Sequence, residues 1–216
     1  MSFEYIEKIP TKEEVIAKIP ISSELRKVRD EKIKELKNIL NGKNNKFIVI
    51  IGPCSADIED AVLEYMEKLA KVNEKVKDKL FIIPRVYTNK PRTNGEGYKG
   101  MLHQPKINEK PDIAKGIYSI RKLHLKVLEQ THFITADEML YPENTVYLED
   151  ILGYVAIGAR SVENQQHRLV ASGMEIPIGM KNPTSGDLNV MFNSIHAAQL
   201  QHNFIYHNHE VRFKRK

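Results

Sequence analysis

Cysteine and long apolar runs are what this sequence lacks. It holds a single cysteine, Cys54, which cannot form an internal disulfide and fits a reducing compartment. Residues 1–18 alternate charged and isolated apolar side chains, so we expect neither a signal peptide nor a transmembrane span. Internal repeats and low-complexity segments are also missing. These absences favour a cytoplasmic protein that has no membrane partner.

The composition is that of a folded protein with a buried core. Hydrophobic residues make up 41% and charged residues 28% of the 216 positions, which excludes a disordered chain, and the length suits one large domain. A formal net charge of +5 raises nucleic-acid binding as an alternative function. Acidic and basic side chains are interleaved in segments such as 26–37, however, and no base-recognition motif is present. We therefore expect no nucleic-acid partner.

The start of the chain differs in pattern from the rest of it. Prolines bracket a short polar helix in the first 21 residues. A second helix, with apolar residues at helical spacing, begins near Ser22 and ends before Gly42. We predict an N-terminal arm and helix over residues 1–43 and a main domain over residues 44–216.

Short apolar runs rich in β-branched residues alternate with helical periodicity in the main domain. The predicted strands are residues 47–51, 80–83, 132–135, 154–157 and 176–179. The predicted helices are about residues 58–71, 112–129, 145–152, 163–172 and 187–200. This alternation predicts an α/β fold in which helices cover a parallel sheet.

Two architectures fit this order of elements. One is an open, doubly wound sheet, and the other is a (β/α)8 TIM barrel of which about five β/α units are present. A closed barrel has eight units and ~250 residues, so the barrel would lack roughly its last three. In both architectures the active site lies beyond the C-terminal ends of the strands. The residues just after each predicted strand are therefore the candidates for chemistry.

A reactive or charged side chain comes after each predicted strand. These side chains are Cys54, Arg85, Glu138, Arg160 and Lys181. Arginine binds phosphate and carboxylate groups bidentately, and lysine binds them as a point charge, so a shared rim with these cations predicts a small anionic ligand. The alternatives are a buried structural cysteine and ordinary surface ion pairs.

A long segment without periodicity, residues 87–110, comes after the second predicted strand. Unstructured segments of this length in compact domains are usually functional or disordered. Lys90 and Arg92 precede several glycines there, and glycines let the backbone approach a ligand. The segment therefore predicts a site for a second phosphate group.

Four motifs in this order resemble the class I 3-deoxy-7-phosphoheptulonate (DAHP) synthases. The motifs are Gly52-Pro53-Cys54-Ser55, Lys90-Pro91-Arg92-Thr93, Gly158-Ala159-Arg160-Ser161 and Lys181-Asn182. The resemblance implies a (β/α)8 barrel with an N-terminal helical extension. It also implies a transferase that condenses phosphoenolpyruvate with erythrose 4-phosphate, the first step of the shikimate pathway of aromatic amino-acid biosynthesis.

The resemblance also assigns roles to substrate-binding residues. Arg85, Arg160 and Lys181 would hold the phosphate and carboxylate of phosphoenolpyruvate, with help from the backbone near Ala159. Lys90, Pro91, Arg92 and Thr93 would position erythrose 4-phosphate, and Glu138 would lie close to the site. Lys90, which would approach the reacting enol carbon, Arg85 and Lys181 would be the catalytic residues.

Cys54 would be one ligand of a divalent metal ion of the Mn, Fe, Co or Zn type, again by resemblance. Such an ion acts as a Lewis acid on the aldehyde. The remaining metal ligands and a further phosphate-binding arginine of the family lie beyond Lys216. His202, His207, His209 and Glu210 could replace them, but a polar terminal segment is the favoured interpretation. His167 is expected to be a packing or surface residue.

The last residues, 211–216, depart from the family pattern, in which the connection continues into a sixth strand. We therefore expect a shortened chain with little or no activity of its own, and the alternative function is an inactive paralogue or fragment that binds or regulates a complete enzyme.

A related synthase that uses arabinose 5-phosphate is disfavoured, because residues 90–93 match the erythrose 4-phosphate type. Exposed edges at the first and fifth strands predict a homo-oligomer.

Overall fold

Two helices open the structure, a computed structural model that describes residues 4–92, 96–206 and 209–212. The first, α1, covers Lys12–Lys18, and its N-terminus is closed by a reciprocal capping box between Thr11 and Glu14. The second, α2, covers Ser23–Leu40, and the Ser22 hydroxyl accepts a hydrogen bond from the Leu25 amide at 3.1 Å. Both helices agree with the sequence expectation.

Among the described residues, five parallel strands form the sheet. They are β1 (Phe47–Ile51), β2 (Leu80–Pro84), β3 (Ala136–Glu138), β4 (Tyr154–Ile157) and β5 (Ile178–Met180). β1 pairs with β2, and β3, β4 and β5 pair in that order. A single parallel bridge between Arg85 and Ala136 joins the two groups. The strand order thus matches the chain order, so the C-terminal ends of all five strands lie along one edge.

Helices connect the strands. They are α3 (Glu59–Val76), α4 (Ile113–Thr131), a 3-10 helix (Pro142–Tyr147), α5 (Gln165–Gly173) and α6 (Leu188–Gln199). None of the described helices is long and apolar enough to cross a bilayer. Apolar side chains from α3 and α4 pack with those of β2, β3 and β4 in the main core, which Val15 of α1 and Leu36 of α2 also join. The boundary between arm and main domain at residue 43 stays a prediction.

The predicted strand at residues 132–135 is wrong in its position. α4 continues to Thr131, and His132 closes it in the left-handed conformation with a φ of 56°. The chain leaves this cap through buried residues and becomes a strand only at Ala136. The fifth strand also starts later than predicted, at Ile178, because Pro177 has no amide hydrogen to donate to a ladder.

The predicted helix at residues 145–152 is a shorter 3-10 helix that starts earlier, at Pro142. The Thr145 hydroxyl donates to the Pro142 carbonyl at 2.6 Å and tightens this turn. The sequence interpretation also missed a hairpin near the end of the chain, where β6 (Asn203–Tyr206) pairs antiparallel with β7 (His209–Arg212). Partly buried Phe204 packs against the main core, which draws this polar segment into a regular strand.

The edge strand β1 carries apolar side chains on an open surface. Phe47 is 72% exposed, and Ile50 and Ile51 are exposed as well. In the part of the chain that the structure describes, β1 pairs only with β2 and β5 pairs only with β4. These two edges agree with the sequence expectation.

Arg121 of α4 ties the segment after α1 to the 3-10 helix and to Asp150. Its guanidinium is fully buried and donates to the carbonyls of Ile19 at 2.7 Å and Tyr147 at 2.9 Å. It also donates twice to Asp150, at 2.7 and 2.9 Å. Burial of Asp150 opposes ionisation, but the hydrogen bonds and charge of Arg121 outweigh it and lower the pKa of this carboxyl.

We predict that Arg121→Met lowers the free energy of unfolding by about 3 kcal/mol, because it leaves Asp150 and two carbonyls without their donor. Urea unfolding at neutral pH measures the loss. The stability from the lowered pKa of Asp150 is present above its unfolded-state pKa and is lost as pH falls through the folded one, so the difference between wild type and variant should shrink in acid.

Lys68→Met is the control for this experiment. It breaks the exposed ion pair with Glu64 and should change stability by less than about 0.5 kcal/mol. Equal losses from the two substitutions would contradict a special role for Arg121.

Candidate active site

The segment after β1 is held against the end of β2. A Cβ atom at Gly52 would lie 2.4 Å from the Arg85 carbonyl oxygen, so only glycine allows this close approach of the two backbones. The Ala56 amide then donates to the Tyr87 carbonyl at 2.7 Å. These contacts bring Cys54 beside the residues just after β2.

Cys54 is exposed and lies among cations. Lys90 Nζ donates to its Sγ at 2.8 Å, and Arg85 Nη2 donates to its backbone carbonyl at 3.1 Å. The hydrogen bond and charge of Lys90 lower the pKa of the Cys54 thiol, with smaller contributions from the charges of Arg85 and Lys181. A lowered pKa favours the thiolate, which is the form that reacts and binds metal.

Tyr87 supports two of the predicted cations on its ring. The Arg85 guanidinium carbon lies 3.9 Å from the ring centroid, and Lys181 Nζ lies 5.1 Å from it. Burial raises the pKa of Tyr87 to about 12, although the charge of Arg85 acts in the opposite direction. The phenol is thus neutral at physiological pH.

Sequence reasoning missed Tyr87. The signal that could have found it is its spacing from Arg85, because residues two apart in an extended chain point to the same side. An aromatic residue at that position is therefore placed to stack under the arginine.

Glu138 is the carboxylate of the site. Its Oε2 lies 3.5 Å from Lys181 Nζ, and the Glu138 side chain is only 10% exposed. A Cβ atom at Gly158 would lie 2.0 Å from Glu138 Oε1. The glycine that begins the Gly-Ala-Arg motif after β4 therefore provides the space that this carboxylate occupies.

The structure joins some of the predicted site residues by contacts and leaves others apart. Cys54, Arg85, Lys90, Glu138 and Lys181 form one connected set through the contacts above. Arg160 is exposed and makes no hydrogen bond or ion pair with the described residues, and Ala159 before it is half-buried. Both follow Gly158, which borders the Glu138 carboxylate.

The loop after β2 holds the remaining candidates. Arg92 is exposed, and its Nε donates to the Tyr98 carbonyl at 2.9 Å. Pro91 is half-buried. Thr93 lies outside the described residues.

A complete metal site is not formed by the residues that the structure describes. They contain no group of three or more histidine, cysteine, aspartate or glutamate side chains suited to a metal ion. Cys54 would thus be the one thiolate ligand among these residues, whereas a catalytic metal ion usually has about three protein ligands. Of the terminal alternatives, His202 Nε2 lies 2.6 Å from the Ala197 carbonyl, and His207 lies outside the described residues.

His167 agrees with its expected packing role. It is buried, its Nδ1 lies 3.0 Å from Asn164 Oδ1, and its Nε2 lies 3.1 Å from the Leu140 carbonyl. Burial lowers the pKa of its imidazole. No contact joins it to the cations around Tyr87 in the described part of the chain.

Comparison with known proteins decides the family. The model of the DAHP synthetase I family matches residues 18–213. The chain belongs to the DAHP synthetase I family. A solved phospho-2-dehydro-3-deoxyheptonate aldolase from Francisella tularensis is 32% identical, with a TM-score of 0.88 over 94% of this chain and 59% of that chain. The described α/β fold is therefore a close match to part of a DAHP synthase, which is a TIM-barrel enzyme.

Two curated relatives show the same likeness. The phenylalanine-inhibited phospho-2-dehydro-3-deoxyheptonate aldolase of Saccharomyces cerevisiae is 40% identical over 78% of this chain and 45% of its own length. The Tyr-sensitive enzyme of Escherichia coli is 34% identical over 90% of this chain and 54% of its own length. The chain thus spans about half the length of these relatives.

We predict that Lys90→Met raises the pKa of the Cys54 thiol, because it removes the largest cause of the lowered value. The pH dependence of iodoacetamide alkylation in metal-free protein measures this pKa without interference, since the chain has no other cysteine. Alkylation near neutral pH should become slower.

Lys99→Met is the matched control, because it removes the same charge from the same loop without touching Cys54. Its alkylation profile should match that of the wild type. If Lys90→Met also left the profile unchanged, the contact between Lys90 and Cys54 would be refuted.

Proposed function

We propose that this chain provides the phosphoenolpyruvate-binding half of a DAHP synthase, which condenses phosphoenolpyruvate with erythrose 4-phosphate to DAHP and phosphate. The observation that carries the proposal is the pair of cations, Arg85 and Lys181, stacked on Tyr87 at the C-terminal ends of β2 and β5. Phosphoenolpyruvate carries a phosphate and a carboxylate, and two adjacent cations suit that combination.

Unused donors in the site support this ligand. Arg85 Nε is buried and has no hydrogen-bond partner among the described residues. A buried donor without a partner costs free energy, which a bound phosphate or carboxylate oxygen would recover. Arg160, exposed and without a described ion pair, is proposed to complete the grip on the ligand together with the backbone near Ala159.

Lys90 is proposed to act at the junction of the two substrates. It already contacts Cys54, and the loop after it carries Pro91, Arg92 and Thr93, the proposed subsite for erythrose 4-phosphate. In the reaction, C3 of phosphoenolpyruvate forms a bond to the aldehyde carbon, whose oxygen gains a proton. Water then adds at C2 and phosphate leaves. Cations near both substrate phosphates stabilise the negative charge of these groups, which must lie close to the nucleophilic enol.

Cys54 is proposed as one ligand of a divalent metal ion, in keeping with the metal dependence of the family. Its lowered thiol pKa supports the role, because a cysteine must lose its proton to bind metal. Such an ion would polarise the aldehyde when bound. Glu138 is proposed to hold Lys181 in place through their ion pair.

A second candidate function is a fragment or inactive paralogue that binds or regulates a complete enzyme. The observation that favours it is the coverage of only about half of each relative. Phosphate release from phosphoenolpyruvate and erythrose 4-phosphate with added Mn²⁺ would exclude an inactive fragment, whereas no release agrees with both functions. Arabinose 5-phosphate in the same assay tests the rival sugar.

We predict that the isolated chain binds phosphoenolpyruvate and shows little or no turnover. Arg85→Met should weaken binding about 10- to 100-fold, because charge-assisted hydrogen bonds contribute roughly 1.5–3 kcal/mol. Isothermal titration calorimetry measures the affinity of the wild type and the variant for phosphoenolpyruvate. Arg26→Met, which removes an exposed arginine from α2, is the control and should bind like the wild type. Absence of binding by the wild-type chain would overturn the proposal.

We also propose a cytoplasmic homo-oligomer. The lone cysteine supports the compartment, and the open β1 edge with exposed Phe47 supports self-association, because an unpaired apolar strand is a template for another chain. Light scattering at micromolar concentrations should find a species larger than 24.9 kDa. Phe47→Lys should shift it toward the monomer, whereas a stable wild-type monomer would contradict the expectation.

A further inference from the structure

A buried polar network lies directly beneath the site, and the proposed mechanism does not use it. Asp137 is 3% exposed and accepts hydrogen bonds from the Thr88 amide at 2.9 Å, the Thr88 hydroxyl at 2.6 Å and the Glu138 amide at 2.7 Å. His124 of α4 lies with Nε2 3.2 Å from Asp137 Oδ2 and with Nδ1 2.7 Å from the Thr135 hydroxyl. The side chains of Thr88, His124, Thr135 and Asp137 are all buried.

Asp137 replaces the backbone pairing between β2 and β3. The Val86 amide donates to the Ala136 carbonyl at 2.9 Å, beside the single bridge at Arg85. In a regular parallel ladder the next amide of the same phase, that of Thr88, would bond to a backbone carbonyl of the neighbouring strand. It bonds to the Asp137 side chain instead, so the two strands are held by a carboxylate where the ladder stops.

Thr88 is fixed from the other side as well. Its carbonyl accepts a hydrogen bond from the Leu102 amide at 3.2 Å, and a Cβ atom at Gly100 would lie 2.4 Å from that oxygen. Lys90 comes two residues later, and its amide donates to the Lys99 carbonyl at 2.9 Å. The backbone that leads to Lys90 is therefore held between Asp137 and the loop that returns to it.

We propose that the Thr88–Asp137–His124–Thr135 network is a positioning device that fixes Lys90 relative to Glu138. One carboxylate sets both backbones, because it holds the Thr88 amide two residues before Lys90 and the amide of Glu138 itself. His124 and Thr135 fix the carboxylate in turn. The network's value to catalysis rests on the proposed function. Displacing a catalytic group by about 1 Å can slow a reaction about 100-fold.

Cys54 provides a readout that does not depend on substrate. Its thiol is exposed and contacts Lys90, so its alkylation rate at a fixed neutral pH reports where Lys90 lies. Thr88→Val removes the hydroxyl and keeps the shape, and Asp137→Asn replaces one of the two acceptor oxygens at the centre with an amide donor. Both should slow alkylation several-fold, toward the Lys90→Met rate. Thr88→Ser keeps the hydroxyl and should restore the wild-type rate.

Ser172→Ala is the control for lost stability, because it removes a buried hydroxyl of α5 that bonds the Leu169 carbonyl. It should leave alkylation unchanged even if the urea midpoint falls. Should Asp137→Asn fail to fold, Thr88→Val still decides, since it retains the Thr88 amide bond. Folded variants that are less stable but alkylate at the wild-type rate would overturn the proposal and leave the network a core-packing feature.

Calorimetry with erythrose 4-phosphate is a second, independent test. If the wild-type chain binds this sugar phosphate, Thr88→Val should weaken binding roughly tenfold and Thr88→Ser should not. If the wild-type chain binds neither substrate, the proposed function fails, and the alkylation rates alone still support or overturn the positioning role.

Discussion

Several positive charges meet at the C-terminal edge of the sheet, and the need to hold them together shapes the surroundings. Arg85 and Lys181 share the ring of Tyr87, Lys181 pairs with Glu138, and Lys90 bonds the Cys54 sulfur. Each of these interactions is weaker than a fully buried ion pair. They keep the cations in place but leave their positive charge available to bind an anionic ligand.

The sequence predicts which residues lie at the site, because the parallel topology of the strands alone determines this. The strands end at one edge of the sheet, so a side chain just after a strand end belongs to that edge wherever the strand boundaries lie. For this reason Cys54, Arg85 and Lys181 lie at the predicted edge, although β5 starts two residues later than predicted. Glu138 also lies at this edge, even though β3 begins four residues later than predicted.

The features that the sequence could not reveal depend on side-chain direction and on long-range packing. His124 lies on a helix and Thr88 in a loop, and no pattern indicates that both point at Asp137. The hairpin around Phe204 depends on a tertiary contact that local propensity does not contain. The left-handed cap at His132 is a conformation that glycine usually takes, so the sequence gives no sign of it. Arg160 shows the opposite limit, because its motif is clear and the described structure gives it no partner.

The shared ring of Tyr87 couples two positions that are nearly one hundred residues apart in the chain. Moving either cation alters the electrostatic field that the other experiences at the same aromatic ring, so their contributions to binding will not add. A redesign of ligand preference at this edge would therefore have to treat the arginine, the lysine and the aromatic platform as one cooperative unit.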